Sequence, residues 1–212
     1  MDIFSKLVDG KAFILVGPPV SGESDFLYHY LQHNLNNSEP VIYVMTDTSP
    51  EEMKKDMIQK KIFVTKFETD KILQYIDCYS KNAGDSLPEQ PNIKRTSGPL
   101  ALNELSIALS SIQSEIYSKN PKHRIIFQSL STLLMYSNAN AVARFIQVLI
   151  SKIKKAGGGV LFTIEEGMHD SQTITTLEHL MDGIIEIKKD GTKIKVKARG
   201  IDGYEDWTEL KL

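Results

Sequence analysis

Hydrophobic residues in this chain are concentrated in short apolar runs, separated by polar turns and by segments with helical spacing. Residues 12–16 (AFILV) and 41–45 (VIYVM) are wholly apolar, as expected for strands buried on both faces of a parallel sheet. The same criterion predicts further strands near 72–78, at 124–130 and at 159–164. Buried strands of this kind favour an α/β architecture.

Helices are predicted between these strands, where apolar residues recur three and four positions apart. The first helix begins at Ser24, and the second follows Ser49, which is a good cap because a proline and two acidic residues come after it. Two more helices are predicted at about 100–118 and 140–156. The glycines at 157–159 predict a helix C-cap followed by a tight turn.

The last third of the chain changes to alternating apolar and polar positions. Residues 184–189 and 193–199 flank Asp190-Gly191, which predicts an antiparallel β-hairpin at the edge of the sheet. Residues 82–99 are polar and rich in proline and glycine, which predicts an exposed loop. Together these patterns predict one three-layer α/β domain over residues 1–212, with a mainly parallel sheet and a C-terminal hairpin.

Composition and charge narrow the class of protein. The chain has 212 residues, 25% of them charged, and its net charge of -2 gives no overall electrostatic footprint for nucleic acid. A nucleic-acid partner is therefore not expected, although a local basic patch would remain compatible with one. No apolar run approaches the roughly 18–20 residues of a membrane span. The single cysteine, Cys78, rules out an internal disulfide and fits a reducing compartment, so a cytoplasmic location is predicted.

One octet, GPPVSGES, carries the main chemical signal. It directly follows the first strand and opens the first helix, which is the context that a phosphate-binding loop of pattern G-x-x-x-x-G-K-[ST] requires. Glu23 occupies the position of the lysine in that pattern. The candidate nucleotide-binding residues of this glycine loop are Gly17, Pro18, Pro19, Val20, Ser21, Gly22, Glu23 and Ser24.

The order of motifs resembles the KaiC-like branch of the RecA-type ATPases, which includes archaeal RadA-like paralogues, from about residue 10 to 212. GPPVSGES looks like the Walker A loop, VIYVMTDTSPEEM like the strand that normally ends in one or two glutamates before Ser-Pro, and RIIFQSLSTLLMY like the Walker B strand. GVLFTIEEGMHD and KARGIDGYEDWTELKL are similar to later strands of the family. The resemblance implies a RecA-like P-loop NTPase fold, an archaeal source, and ATP with Mg²⁺ as the family's ligands.

Three positions that matter for hydrolysis in this family differ here. Glu23 replaces the lysine, which reverses an electrostatic term of roughly 4 kcal/mol for a unit-charge pair at about 4 Å. Gln128 stands at the Walker B acid position and brings no charge to offset the dehydration of Mg²⁺. Asp47-Thr48 stands where the glutamate pair is expected, so Asp47 lies at the general-base position; its alternative role is a loop acid or helix cap.

These changes predict a catalytically inactive KaiC-like protein with a regulatory or scaffolding role through protein contacts. The alternative is a nucleotide-binding signalling or recombination-associated ATPase that keeps weak ATP binding through the N–H groups of the glycine loop and the Ser24 hydroxyl. Under either hypothesis two roles of Glu23 stay open: a solvated glutamate on a loop with a structural task, or part of a rebuilt site, as a metal ligand or beside a basic residue. No other metal site is predicted, because His29 and His33, four residues apart, lack a third ligand in the sequence nearby.

Lys197 and Arg199 form the remaining candidate site. Lys197-Ala198-Arg199-Gly200 resembles the element with which one subunit of a KaiC-like ring reaches the phosphates bound by its neighbour. The alternative is that both side chains lie on the solvent face of an alternating strand. The resemblance implies a protein partner, either a KaiC-like paralogue or a second copy of this chain.

Overall fold

A nine-stranded sheet forms the centre of the computed structural model, which describes residues 2–85, 88–117 and 122–210. The strands are β1 (Ala12–Gly17), β2 (Val41–Met45), β3 (Leu73–Asp77), β4 (Ile93–Arg95), β5 (His123–Gln128), β6 (Gly158–Glu165), β7 (Gly183–Asp190), β8 (Lys193–Arg199) and β9 (Thr208–Glu209). The helices are α1 (Glu23–Asn36), α2 (Pro50–Gln59), α3 (Thr65–Thr69), α4 (Leu102–Tyr117), α5 (Leu130–Tyr136), α6 (Ala139–Lys155) and α7 (Ser171–Glu178), after one 3₁₀ turn at Phe4–Lys6.

The strand order is β4-β3-β2-β5-β6-β1-β7-β8-β9. All pairings from β4 to β7 are parallel, and only β8 and β9 are antiparallel to their neighbours. The carboxyl ends of the parallel strands therefore meet at one edge of the sheet, where ligands bind in open α/β folds. The predicted mixed α/β fold with a mainly parallel sheet and an antiparallel hairpin is confirmed.

Two hydrophobic cores lie on opposite faces of the sheet and define the three layers. One core contains Phe26 and Leu31 of α1 and Met53 of α2. The other contains residues of α4 and α6, such as Ile112 and Ile146. Both faces of the central strands are covered, which explains why their sequences are continuously apolar rather than alternating.

The predicted exposed loop at 82–99 is wrong in part, because it contains β4, which pairs in parallel with β3. Ile93 and Thr96 are buried, and Arg95 donates to the fully buried Asp77 (Nε to Oδ2, 3.1 Å) and to Glu51 at the start of α2 (Nη2 to Oε1, 2.7 Å). A three-residue strand held by an ion-pair network has no periodicity that its sequence could display.

Other boundaries differ from the predictions for local reasons. β5 ends at Gln128 instead of residue 130, since Ser129 caps α5, a helix too short for the sequence pattern to reveal. Only Gly157 of the glycine triplet adopts a positive φ (78°) after α6, whereas the next two glycines lie within β6. The hairpin is confirmed, but β9 pairs outside it and is the true edge strand.

One predicted helix extends beyond the described residues. The expected helix at 100–118 corresponds to α4, and its last residue lies outside the described ranges. Within the described ranges, no helix is both long and apolar enough to cross a membrane.

Candidate functional site

The glycine loop joins β1 to α1 at the carboxyl edge of the sheet, as its sequence context predicts. Gly22 is the N-cap of α1 with a left-handed backbone (φ 90°), and no side chain caps this helix end. The uncapped N–H groups at a helix N-terminus favour an anion. The loop therefore presents uncapped N–H groups at the start of α1.

Two glycines of this loop are required by packing against the C-terminal hairpin. A Cβ on Gly17 would overlap the Ile187 side chain of β7 and lie 2.8 Å from the Ser21 hydroxyl oxygen. A Cβ on Gly22 would lie 2.8 Å from Cγ1 of Ile194 in β8. The close approach of loop and hairpin therefore explains these glycines whether or not a phosphate is bound.

Val20 occupies the exposed tip of the loop. Its side chain is 89% exposed and its φ is +62°, an unusual backbone conformation for a β-branched residue. The valine therefore points into solvent, so it does not narrow the loop.

Glu23 is the first residue of α1 and is half-buried, so the interpretation of a solvated loop glutamate is wrong. Burial raises the pKa of its carboxyl from 4.5 to about 7, against a lowering by the Thr163 hydroxyl, and the negative charges of Asp47 and Glu165 raise it further. Glu23 thus stands at the position where the phosphate-loop pattern has the ammonium group of a lysine. The charges that act on its carboxyl are those of other carboxyls.

Asp47 lies between β2 and α2 and reaches solvent on one side. The surrounding protein nevertheless desolvates its carboxyl and, together with Glu165, raises the pKa of Asp47 to about 6. Ser49 caps α2 by accepting from the Glu52 N–H at 3.1 Å, so the helix-cap alternative for Asp47 is wrong. Thr48 donates its hydroxyl to Glu52 at 3.1 Å.

Gln128 ends β5 on the same face of the sheet. Its side-chain oxygen accepts a hydrogen bond from the buried Tyr43 hydroxyl at 2.7 Å. The amide is therefore oriented by a neighbouring strand and supplies no negative charge for a hydrated metal ion.

Thr163 and Glu165 of β6 also line this site and were missed among the candidate residues. In the register of the sheet, Thr163 pairs with Leu15 and Glu165 pairs with Gly17, the first residue of the glycine loop. A signal was present, because a threonine and a glutamate two residues apart at the end of an apolar strand share one face.

The charged groups of the site do not fit a Mg²⁺-nucleotide complex. The charges that act on Glu23 come from Asp47 and Glu165, and no basic side chain is among them. The described residues also contain no group of three or more His, Cys, Asp or Glu side chains that could hold a metal ion. Glu23 as a metal ligand or as the partner of a basic residue, the two versions of a rebuilt site, therefore finds no support in the described residues.

Lys197 and Arg199 lie on β8, away from the site at the glycine loop. Arg199 pairs in register with Ile184, toward the amino end of β7, whereas the glycine loop packs against Ile187. Its guanidinium group is exposed and donates to Glu178 of α7 (Nη2 to Oε1, 2.8 Å). These two side chains therefore do not complete the site of their own chain.

Comparison with a solved structure supports the same fold. A crystal structure described as a KaiC-like protein from the hyperthermophilic archaeon Pyrococcus horikoshii superposes with a TM-score of 0.72, covering 99% of this chain and 90% of that one. The sequences are 14% identical, so this likeness shows the fold alone. The expected KaiC-like, RecA-type fold is confirmed.

Comparison with curated sequences finds distant relatives of this chain. The chain is 25% identical over 179 residues to a UPF0273 protein of Pyrococcus furiosus, covering 84% of this chain and 69% of that protein. It is 26% identical over 185 residues to a UPF0273 protein of Thermotoga maritima, covering 84% and 71%. A family model described as a family of unknown function, DUF7504, matches residues 10–187.

Proposed function

Because the chain belongs to DUF7504, a family of unknown function, we propose a role from its own site: a catalytically inactive KaiC-like protein that regulates or scaffolds a complex through protein contacts. The observation that carries this proposal is the half-buried carboxyl of Glu23 at the start of α1. At this point the bound phosphates of an NTPase need positive charge.

Electrostatics oppose phosphate at this position. With a pKa of about 7, Glu23 carries a substantial negative charge at neutral pH, and Asp47 and Glu165 add to the same field. A repulsive unit-charge pair at about 4 Å costs roughly 4 kcal/mol at an effective dielectric near 20. That cost exceeds the ~1 kcal/mol that one net hydrogen bond from the loop returns.

The Walker B position supports the proposal independently. Gln128 is neutral and its oxygen already accepts from Tyr43, so Mg²⁺ would gain no carboxylate there. Asp47 at the general-base position is one carbon shorter than glutamate and would reach less far toward an attacking water. The lysine is missing at the start of α1 and the acid is missing at the end of β5, and both changes impair the same reaction. Two changes in separate elements that affect one reaction favour a chain that no longer needs to hydrolyse nucleotide.

The second candidate function is a signalling or recombination-associated ATPase that keeps weak ATP binding. It is favoured by the retained backbone of the loop, with Gly22 at the N-cap of α1 and Ser24 in its first turn. ATP with Mg²⁺ would then bind through N–H groups and one hydroxyl. The two candidates differ in whether nucleotide binds, so one measurement separates them.

Thermal unfolding with and without ATP and Mg²⁺ tests the proposal. A ligand that binds only the native state stabilises it by RT ln(1 + [L]/Kd), about 2.7 kcal/mol at a hundredfold excess over Kd. We expect no shift in the melting temperature beyond that of MgCl₂ alone. A saturable ATP-dependent shift would establish the second candidate instead.

The Glu23→Lys, Gln128→Asp double variant is the matched positive control. It restores the charges at both positions, so we expect it to gain an ATP-dependent shift that the wild-type chain lacks. Each single variant is expected to gain less than the double variant, because ammonium and metal act on the same phosphates.

The partner of this role is proposed to be a protein, either a KaiC-like paralogue or a second copy of the chain. Lys197 has no ion-pair partner among the described residues, and the exposed Arg199 pairs with two acids of its own chain, Glu178 and Glu186. Both side chains lie at the surface, where they can reach a neighbouring molecule. In that arrangement the two cations would act on a neighbour's site rather than on their own.

A further inference from the structure

Two apolar side chains, Ile58 and Phe63, project into solvent where α2 passes into α3. Ile58 is 58% exposed and Phe63 is 68% exposed, so neither of them forms the floor of a groove. Phe63 stands between Ile62 and Val64, which are both buried, so anchors on either side fix its ring at the surface. The exposure of the phenylalanine is therefore built into the fold.

Lysines surround this apolar pair along the chain. Residues 53–67 contain five lysines and one acid, which gives them a net charge of +4 in a chain whose net charge is -2. Lys54 pairs with Glu68, the residue after this segment, and Lys60 pairs with Asp25 and Asp56. The other three lysines are exposed and make no ion pair with any described residue: Lys55, Lys61 and Lys66.

The backbone at Lys61 gives no reason for a lysine. Lys61 follows the C-cap of α2 in a left-handed conformation, with φ at +61°. Glycine is the usual residue in this position because it has no Cβ. The Ile62 N–H closes the helix end on the Met57 carbonyl oxygen at 2.8 Å, so backbone groups hold the turn. The charge of Lys61 is therefore not required by the fold.

The basic apolar surface, defined as Lys55, Ile58, Lys61, Phe63 and Lys66, lies away from the glycine loop. Strands β2 and β3 are parallel, so the connection through α2 and α3 returns from the carboxyl edge of the sheet to its amino edge. The last turn of α2 and the residues after it therefore lie toward the amino edge. The glycine loop lies at the carboxyl edge.

We propose that the basic apolar surface docks this chain on an anionic membrane surface. Phe63 and Ile58 enter the boundary between lipid headgroups and acyl chains, and the three unpaired lysines contact headgroup phosphates. Binding of this kind grows with the buried apolar area and with attraction to anionic lipids. Lysine suits the role because its aliphatic stem covers apolar surface while its ammonium group stays in water.

The shape of this surface favours a membrane over an acidic peptide or a nucleic acid. Amphipathic peptides bind by placing their apolar side chains in a groove, whereas Ile58 and Phe63 project. A nucleic-acid backbone would satisfy the lysines but offers no apolar partner to Ile58. An anionic membrane provides both a charged layer for the lysines and an apolar layer for the projecting pair.

This inference goes beyond the proposed function and has a separate readout. Attachment through the amino edge leaves the glycine loop directed away from the membrane and open to a protein partner. The proposed function fails if ATP binds the wild-type chain, whereas the docking surface fails if the chain does not bind vesicles. Either outcome can occur without the other.

The test is co-sedimentation of the full chain with lipid vesicles. One set of vesicles contains phosphatidylcholine alone, and the other contains equal parts of phosphatidylcholine and phosphatidylglycerol. We expect binding to the anionic vesicles that is much tighter than binding to the neutral ones. Added NaCl should weaken it, because salt screens the attraction between lysines and headgroups.

Two variants locate the binding. Phe63→Ser should weaken binding to anionic vesicles by about tenfold or more, because the buried area of the ring is lost. A lysine near an anionic membrane strengthens binding about fivefold, so the Lys61→Ala, Lys66→Ala double variant should also lose about tenfold or more.

Matched controls carry the same kinds of change elsewhere. Ile107→Ser removes a side chain that is 70% exposed on α4. The Lys152→Ala, Lys155→Ala double variant removes two exposed cations from α6, which packs on the other face of the sheet from α2. Both controls are expected to leave vesicle binding unchanged. Circular dichroism without lipid confirms that each variant folds.

Fluorescence tests whether the ring enters the membrane. Trp207 is the single tryptophan of the chain, so the wild type reports that residue alone. Phe63→Trp should bind anionic vesicles and show a blue shift and quenching by brominated lipids, which the wild type lacks.

The proposal is overturned if anionic vesicles are not bound, if Phe63→Ser binds them as tightly as the wild type, or if the α6 control loses as much as the Lys61→Ala, Lys66→Ala variant. It is also overturned if these two lysines bind single-stranded DNA or polyglutamate while vesicles are not bound. An unshifted and unquenched Phe63→Trp on bound vesicles would contradict insertion.

Discussion

At the scale of single residues, the proposed function of this chain depends on the environment of Glu23 more than on its identity. In solvent, the same glutamate would keep the ordinary pKa of a carboxyl and would have little effect on the fold. Half-buried and facing Asp47 and Glu165, it becomes a group whose ionisation is opposed by desolvation and by like charge. Because the pKa differs between the folded and unfolded states, it makes the free energy of unfolding depend on pH.

Replacing Glu23 by glutamine should stabilise the fold in a pH-dependent way. The carboxyl pKa is 4.5 when unperturbed and about 7 in the folded chain, so the wild type loses stability as pH rises between these values. Since one pKa unit corresponds to about 1.4 kcal/mol, we expect Glu23→Gln to raise the free energy of unfolding by roughly 1–3 kcal/mol at pH 8. Urea unfolding at pH 8 and pH 4 measures the difference.

The gain should vanish at pH 4, where the glutamate is protonated in both states. Other acids that face the position, Asp47 and Glu165, are retained in the variant and so do not account for the difference. Glu89→Gln is the control for loss of a negative charge from the surface. Equal gains at both pH values would contradict burial as the cause.

At the scale of elements, the glycine loop and the C-terminal hairpin form one packed unit. Gly17 lies against Ile187 of β7, and Gly22 lies against Ile194 of β8. The loop is therefore a structural contact between β1, α1 and the hairpin. This contact requires both glycines whether or not the loop binds phosphate.

The Gly17→Ala variant tests this contact. An added Cβ would overlap the Ile187 side chain, so we expect a loss of about 1–3 kcal/mol in the free energy of unfolding. In an Ile187→Ala background the same substitution should cost less, because the overlapping atoms are gone. Chemical unfolding of the wild type, both single variants and the double variant gives the coupling energy.

Additive costs in that cycle would show that Gly17 and Ile187 are energetically independent. The glycine would then be required for another reason, such as the close approach of a ligand to the backbone.

At the scale of the whole molecule, the two candidate sites lie at different places on the sheet. Glu23 and Glu165 lie at its carboxyl edge. Arg199 lies near the opposite end of β7 and pairs with Glu178. One chain cannot bring them together, so any joint action requires a neighbouring molecule. Molecules in which such surfaces meet head to tail form rings or filaments.

The Lys197→Ala, Arg199→Ala double variant distinguishes a contact role from a role in folding. The Arg199 ion pair is exposed, and exposed pairs contribute about 0–1 kcal/mol, so the free energy of unfolding should change little. Complexes of the chain with itself or with a partner should be weakened. Sedimentation velocity over a range of concentrations measures self-association, and co-sedimentation measures partner binding.

Lys193→Ala is the matched control, because it removes an exposed cation of the same strand that pairs with Glu209. A complex that survives the double variant would exclude a role for Lys197 and Arg199 at a neighbour's site and would leave scaffolding through another surface.

Much of the fold could be predicted from the sequence because the signals for its elements are local. Continuous apolar runs identified β1 and β2, the Ser49 cap identified the start of α2, and Asp190-Gly191 identified the hairpin. Each depends on a few neighbouring residues whose physical preferences are strong. The glycine loop between strand and helix belongs to the same class of signal.

The tertiary structure decided the features that depend on residues far apart in the chain. β4 pairs with β3, and its Arg95 reaches Asp77 and Glu51; no local pattern records such contacts between distant residues. Thr163 and Glu165 joined the site only when β6 was placed beside β1. The sequence by itself determined that Glu23 replaces a lysine; only the fold determined that it is half-buried among other acids, because desolvation and Coulomb interactions depend on distances in space.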